Sequence, residues 1–133
     1  MLRKANVQTW LDAYVEAWRT YDRDAIADLF SADASYAYHP YDAEPLRGRD
    51  AIVASWLEER DEPGSWEADY RPLMIAGDRA VATGETRYRE GRVFSNLYVL
   101  RFDDDGRCAE FVEWFIEQPQ GVSGARDYPA CCG

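Results

Sequence analysis

The sequence predicts an α+β domain in which helices gather against one curved sheet. Three observations carry that expectation. Apolar residues in the first 60 positions recur at three- and four-residue spacing, the period of amphipathic helices. From Trp66 to Gln118 apolar and polar residues alternate instead, the period of half-buried strands. The breaks between the alternating stretches hold Gly and Asp, the chemistry of tight hairpins.

The first helix rests on Val7, Trp10, Leu11, Tyr14, Val15 and Trp18, with Asp12, Glu16 and Arg19 on other faces. A short second helix follows over residues 22–30, with Asp22 as N-cap and Ile26, Leu29 and Phe30 as its buried stripe. The period then changes. Residues 34–39 read as a tyrosine-rich strand broken at Pro40, and 41–48 as a loop or an edge hairpin. A third helix over about residues 50–60 shows Ile52, Val53, Trp56 and Leu57 on one face and ends at Pro63-Gly64. Strands from Trp66, over 79–88, over 93–102 and over 108–118 complete a meander, with turns at Gly77-Asp78, Glu90-Gly91 and Asp104-Asp105-Gly106. Helices come first and strands last, so the helices are expected on one side of the sheet.

The 133 residues suit a single domain, placed at 1–118, followed by a loosely structured tail at 119–133. With 47% hydrophobic and 14% aromatic residues the chain is neither disordered nor fibrous. Fifteen basic against 25 acidic residues give a net charge of −10, which argues against nucleic acid and anionic membranes as partners. No apolar run is long enough to span a membrane, and the basic start lacks the apolar stretch of a secretory signal. Three cysteines, two of them adjacent at Cys131-Cys132, imply no disulfide framework. A cytoplasmic setting is the simplest expectation.

On the segments AYVEAWRTYDRDAIADLFSADASY, HPYDAEPLRGRDAIVASW and NLYVLRFDDDGRCAEFVEWF the chain resembles the nuclear transport factor 2-like superfamily. The likeness covers about residues 5–118 and is to the ketosteroid isomerase-like and SnoaL-like (polyketide cyclase-like) branches. It implies a cone-shaped barrel: a curved, mostly antiparallel sheet with three helices from the N-terminal half enclosing a pocket. Homodimers are common in the superfamily. Function transfers weakly, because the superfamily holds isomerases, cyclases, hydrolases and non-catalytic modules.

The resemblance places Tyr14 where the isomerases keep an oxyanion-stabilising tyrosine. It places His39, or Tyr38, at their general-base position, and Tyr98 where they keep a protonated aspartate. His39 is the only histidine and exchanges protons readily near neutral pH. Alternation groups Phe111, Glu113 and Phe115 on one face of the last strand, but the other face is nearly as apolar. The resemblance favours the Glu113 face as the pocket side, where burial would raise the carboxyl pKa and suit it to acid–base work. An ion pair of Glu113 with Arg47 or Arg101 is the structural alternative. Asn96 and Tyr98 share a parity with Phe94, and the three are expected to face the pocket. Trp18, Tyr36, Trp56, Tyr70 and Tyr88 are expected as wall or core.

Other chemistries lack their motifs. The Asp103–Gly106 run misses the alternating ligands of a calcium loop, and one histidine with scattered cysteines is no zinc set. No phosphate-cradling glycine motif is present, so neither metal nor cofactor is expected. Two readings follow. One is an enzyme using side-chain acid–base chemistry on a small hydrophobic, cyclic molecule, through His39, Glu113 and Tyr14. The other is a non-catalytic ligand-binding or dimerising module.

Overall fold

The computed structural model describes residues 1–119 and contains three helices and six strands. Helix α1 (Lys4–Thr20) buries Val7, Trp10, Leu11 and Tyr14 of the expected stripe together with Ala17, while Val15 and Trp18 are half-buried. It stops where Tyr21 takes a left-handed backbone conformation (φ 52°) and its N–H bonds back to Ala17 O at 2.8 Å. A non-glycine residue there costs on the order of 1 kcal/mol, and the reversal turns the Tyr21 ring toward α3. Helix α2 (Arg23–Ala27) is capped by Asp22, whose carboxylate accepts from the Asp24 and Ala25 N–H groups.

Strand β1 (Phe30–Ala37) starts four residues earlier than the periodicity predicts. Leu29 and Phe30 complete a helical stripe in the sequence, yet the sheet claims them. Leu29 O accepts from both the Cys108 backbone N–H and the Trp10 indole, and these bonds hold the chain extended. Strand β2 (Leu46–Arg47) pairs with β1 as a short edge hairpin, and Gly48 (φ 91°) leads into helix α3 (Arg49–Glu58). Strands β3 (Trp66–Ala76), β4 (Arg79–Tyr88), β5 (Val93–Phe102) and β6 (Cys108–Glu117) form the expected meander.

The sheet order is β2-β1-β6-β5-β4-β3. All pairs are antiparallel except β1 with β6, so the last strand lies between the first and the fifth. The sheet curves around the helices without closing, and Phe30, Ile52, Tyr98, Leu100 and Phe111 fill the space between the two layers. Trp10 sits at the centre, within 5.4–6.4 Å of the Tyr14, Phe30, Phe102 and Phe111 ring centres. Among the described residues no helix is long and apolar enough to cross a membrane. The C-terminal tail, apart from Pro119, and Cys131-Cys132 with it, lies outside the described residues.

Gly84 lies opposite Tyr70 on β3 and Asn96 on β5. A Cβ there would meet Asp69 O at 1.8 Å and the Tyr70 ring at 2.7 Å. The missing side chain is what lets Tyr70 lean across β4. Gly84→Ala is expected to lower stability by about 1–3 kcal/mol in urea denaturation, the scale of overpacking.

Candidate functional site

A cavity of about 470 Å³ opens between the helical layer and the concave side of the sheet. Its wall is mostly aromatic. Helix α1 supplies Tyr14 and Trp18, and β1 with its end supplies Tyr36 and Tyr38. Trp56 and Ser55 come from α3, Tyr70 from β3, and Tyr88 with Thr86 from β4. Strand β5 adds Phe94, Asn96 and Tyr98, and β6 adds Glu113 and Phe115. Alternate β5 residues therefore face inward, as do Phe111, Glu113 and Phe115 on β6.

Glu113 pairs in register with Tyr98. Its carboxylate touches the cavity but has protein on nearly every other side, and this desolvation raises its pKa to about 7. Hydrogen bonds from Asn96 and Tyr98 oppose the shift without cancelling it. The structural alternative, an ion pair with Arg47 or Arg101, is not formed among the described residues. Arg101 and Arg79 pair with Glu110 on the outer face, and among the described residues no salt bridge reaches Glu113.

A hydrogen-bond chain crosses three strands to reach the carboxylate. Thr86 Oγ1 donates to Asn96 Oδ1 at 2.8 Å, so it accepts from the Tyr70 hydroxyl. Asn96 Nδ2 donates to Glu113 Oε2 at 3.1 Å. An ionised carboxylate only accepts, and a hydroxyl has one proton, so the direction of every bond follows from the acceptor at its end.

The tyrosines stay protonated. Burial raises the pKa of Tyr14, Tyr36 and Tyr98 well above the ordinary value, and the Glu113 charge adds to the effect. Burial likewise raises Tyr70, and lifts Tyr88 to about 12. These phenols can donate hydrogen bonds at neutral pH but cannot serve as bases. Tyr38 bonds to Ser55 Oγ at 2.7 Å.

Charge gathers at the mouth, in the segment that leaves α3. Glu59, Arg60 and Asp61 line it. Asp61 accepts from the Trp18 indole at 3.0 Å, and its N–H donates to the Tyr21 hydroxyl at 2.8 Å. The Arg60 guanidinium lies 5.4 Å over the Tyr21 ring.

Tyr14, Trp18, Tyr36, Trp56, Phe94, Asn96, Tyr98, Glu113 and Phe115 thus meet around one cavity. Two expected site residues stand elsewhere. His39 is outside the wall: its ring stacks on Tyr41 at 4.9 Å and packs on Phe115 at 5.2 Å, and its N–H bonds to Asp42. Strand β1 ends at Ala37, and Tyr38 is the residue that lines the cavity instead. Phe111 shares a face with Glu113 but lies deeper, stacked on Tyr36 at 4.1 Å inside the core. Sequence reasoning missed Tyr21, Ser55, Thr86 and the 59–61 segment. The tyrosine following the first helix was the available signal for Tyr21; the segment after α3 carries no periodicity.

The layered fold with a cavity between its layers is the nuclear transport factor 2-like fold. More closely, residues 11–111 match the SnoaL-like domain family, and the chain belongs to that family. Solved structures agree on the fold. An NTF-2 like protein of unknown function from Burkholderia xenovorans LB400 is 23% identical with a TM-score of 0.68, covering 94% of this chain and 99% of its own. A candidate ketosteroid isomerase from Kribbella flavida DSM 17836 is 18% identical with a TM-score of 0.68, covering 96% and 93%. An LEH-like epoxide hydrolase from M. tuberculosis is 15% identical with a TM-score of 0.61, covering 85% and 84%. No curated protein matches the chain.

The raised Glu113 pKa sets a stability test. In the unfolded chain the carboxyl titrates near its ordinary value of 4.5, and in the fold near 7. The fold therefore favours the protonated form, so the associated stability is present below pH 4.5 and is lost as pH rises through 7. Glu113→Gln is expected to match the wild type near pH 4 and to exceed its stability at pH 8 by about 3 kcal/mol. Urea denaturation of both proteins across this pH range checks it; a variant less stable at pH 8 would show that the carboxylate is stabilised in the fold.

Proposed function

We propose that this chain binds a small, largely hydrophobic cyclic molecule and moves a proton on it, with Glu113 as the general acid–base group. The observation that carries this reading is a carboxylate buried in the wall of an aromatic cavity, where desolvation raises its pKa, without a salt-bridge partner among the described residues. A general base works best with a pKa near the working pH. Tyr14, Tyr36 and Tyr98, held protonated around it, are suited to donate to oxygen that gains negative charge as the proton leaves. The chain from Tyr70 through Thr86 to Asn96 holds the carboxylate in place. Neighbours of this fold include a candidate ketosteroid isomerase and an LEH-like epoxide hydrolase. His39, which the sequence offers as the proton mover, is assigned no step, because its ring packs outside the cavity.

Proton abstraction is testable before the net reaction is known. In D₂O, a panel of cyclic ketones is incubated with the protein and deuterium uptake beside the carbonyl is followed by NMR. The wild type is expected to accelerate uptake on at least one compound, and Glu113→Gln to slow it by about 10² or more, while His39→Ala changes it by less than about twofold. Binding without exchange across the panel would favour a non-catalytic ligand-binding module.

The outer face of β6 supports a homodimer as the working unit. Trp114 and Ile116 are 40% and 73% exposed there, an apolar surface that a second copy would cover. Trp114→Glu is expected to convert a dimer to monomers in sedimentation equilibrium while leaving the cavity intact.

A further inference from the structure

The charge balance of the cavity is unfinished. Three carboxylates line it, Glu59, Asp61 and Glu113, against one guanidinium, Arg60. Arg60 is engaged at the mouth, where its Nε donates to Leu57 O at 3.2 Å and its guanidinium covers the Tyr21 ring. Asp61 is held there too, by Trp18. Among the described residues, Glu113 alone carries its charge into the depth of the cavity, with hydrogen-bond donors but no cation beside it. A buried carboxylate lacking a positive partner is costly, and an occupant bringing positive charge would offset that cost.

The wall is suited to such an occupant. Tyr, Trp and Phe make up eleven of the eighteen lining residues, and aromatic rings attract cations through their quadrupole. Three of these rings already do so. Arg60 lies over Tyr21, and Arg92 lies 5.2 Å from the Tyr88 ring centre and 5.5 Å from that of Phe94. An alkylated ammonium fits this setting better than a primary one, because its weak hydration is easily replaced by aromatic carbon.

We infer that the natural ligand carries a positively charged, alkylated nitrogen, which sits among the aromatic rings with Glu113 as its counter-ion. The inference rests on reading the cavity as a small-molecule site and names the class of molecule it takes. The alternative is a neutral ligand whose oxygen accepts a hydrogen bond from protonated Glu113. The two differ in sign. A cation binds the ionised carboxylate and tightens as pH rises, whereas a neutral acceptor binds the acid form and tightens as pH falls.

The other titratable groups facing Glu113 are Tyr14 from α1, Tyr36 and Tyr38 from β1 and its end, Tyr70 from β3, Tyr88 from β4 and Tyr98 from β5. Burial raises all six pKa values, so they remain neutral between pH 6 and 8. The charged groups are Glu59, Arg60 and Asp61 at the mouth, and His39 packs on Phe115 from outside the wall. The Glu113→Gln variant separates their effects from that of Glu113.

Two probes of equal shape decide the matter: 4-(hydroxymethyl)phenyltrimethylammonium and its uncharged carbon isostere, 4-tert-butylbenzyl alcohol. Binding is measured by isothermal titration calorimetry on the full chain at pH 6, 7 and 8. The cation is expected to bind at least about tenfold more tightly than the isostere at pH 8, and about tenfold more tightly at pH 8 than at pH 6. In Glu113→Gln the preference for the cation should fall to about threefold or less and its pH dependence should vanish, with the isostere still bound. Equal or tighter binding of the isostere to the wild type overturns the cation assignment and leaves the small-molecule reading standing. So does cation affinity that rises as pH falls, or a preference unchanged in the variant. If neither probe binds at any pH, both readings fall.

Discussion

Everything distinctive about the interior follows from one desolvated carboxylate. Glu113 sits where water is largely replaced by aromatic carbon, and its two hydrogen-bond partners do not restore what solvent would supply. The surrounding polar groups are ordered by it. The Asn96 amide must turn its nitrogen toward Oε2, Thr86 must then donate to the amide oxygen, and Tyr70 must donate to Thr86. A single acceptor thus sets the orientation of three side chains on three strands. Burial, to which the carboxylate's charge adds, holds the nearby phenols in their protonated form, which separates the groups able to give a hydrogen bond from the one able to take a proton.

This division of labour depends on backbone features some distance from the carboxylate. Gly84 lets Tyr70 cross over β4 and reach Thr86. The left-handed turn at Tyr21 brings a ring to the mouth, where it receives the Asp61 N–H and lies beneath Arg60. The mouth is polar and charged while the depth is aromatic, so an occupant meets solvent-like groups before it is stripped of water.

The elements legible in the sequence are those whose local cues agree. The stripe of α1 and the hairpins from β3 to β6 have one face apolar and turn residues where the chain reverses, so period and punctuation say the same thing. Where cues conflict, the sequence misleads. Leu29 and Phe30 continue a helical period, but long-range bonds from Trp10 and Cys108 draw them toward the sheet. The two faces of β6 are both apolar because the outer one carries Val112, Trp114 and Ile116, so alternation alone could not orient Glu113. Phe111 has the same parity as Phe115 and differs only in depth, a property that no periodicity encodes. His39 stood out by its chemistry, but the direction of its ring depends on the path of the loop after β1.

The position of β6 has a consequence for how the chain is made. Of the six described strands it is the last to be synthesised, yet it lies between β1 and β5 and, among the described residues, joins the two parts of the sheet. Until residue 117 has emerged, β1 and β5 each present an open edge, and α1 has only part of its floor. The meander can form early from local pairings, but the parallel seam with β1 joins residues 75 to 78 positions apart and must wait. Nascent chains that stop short of β6 are therefore expected to need protection of those edges.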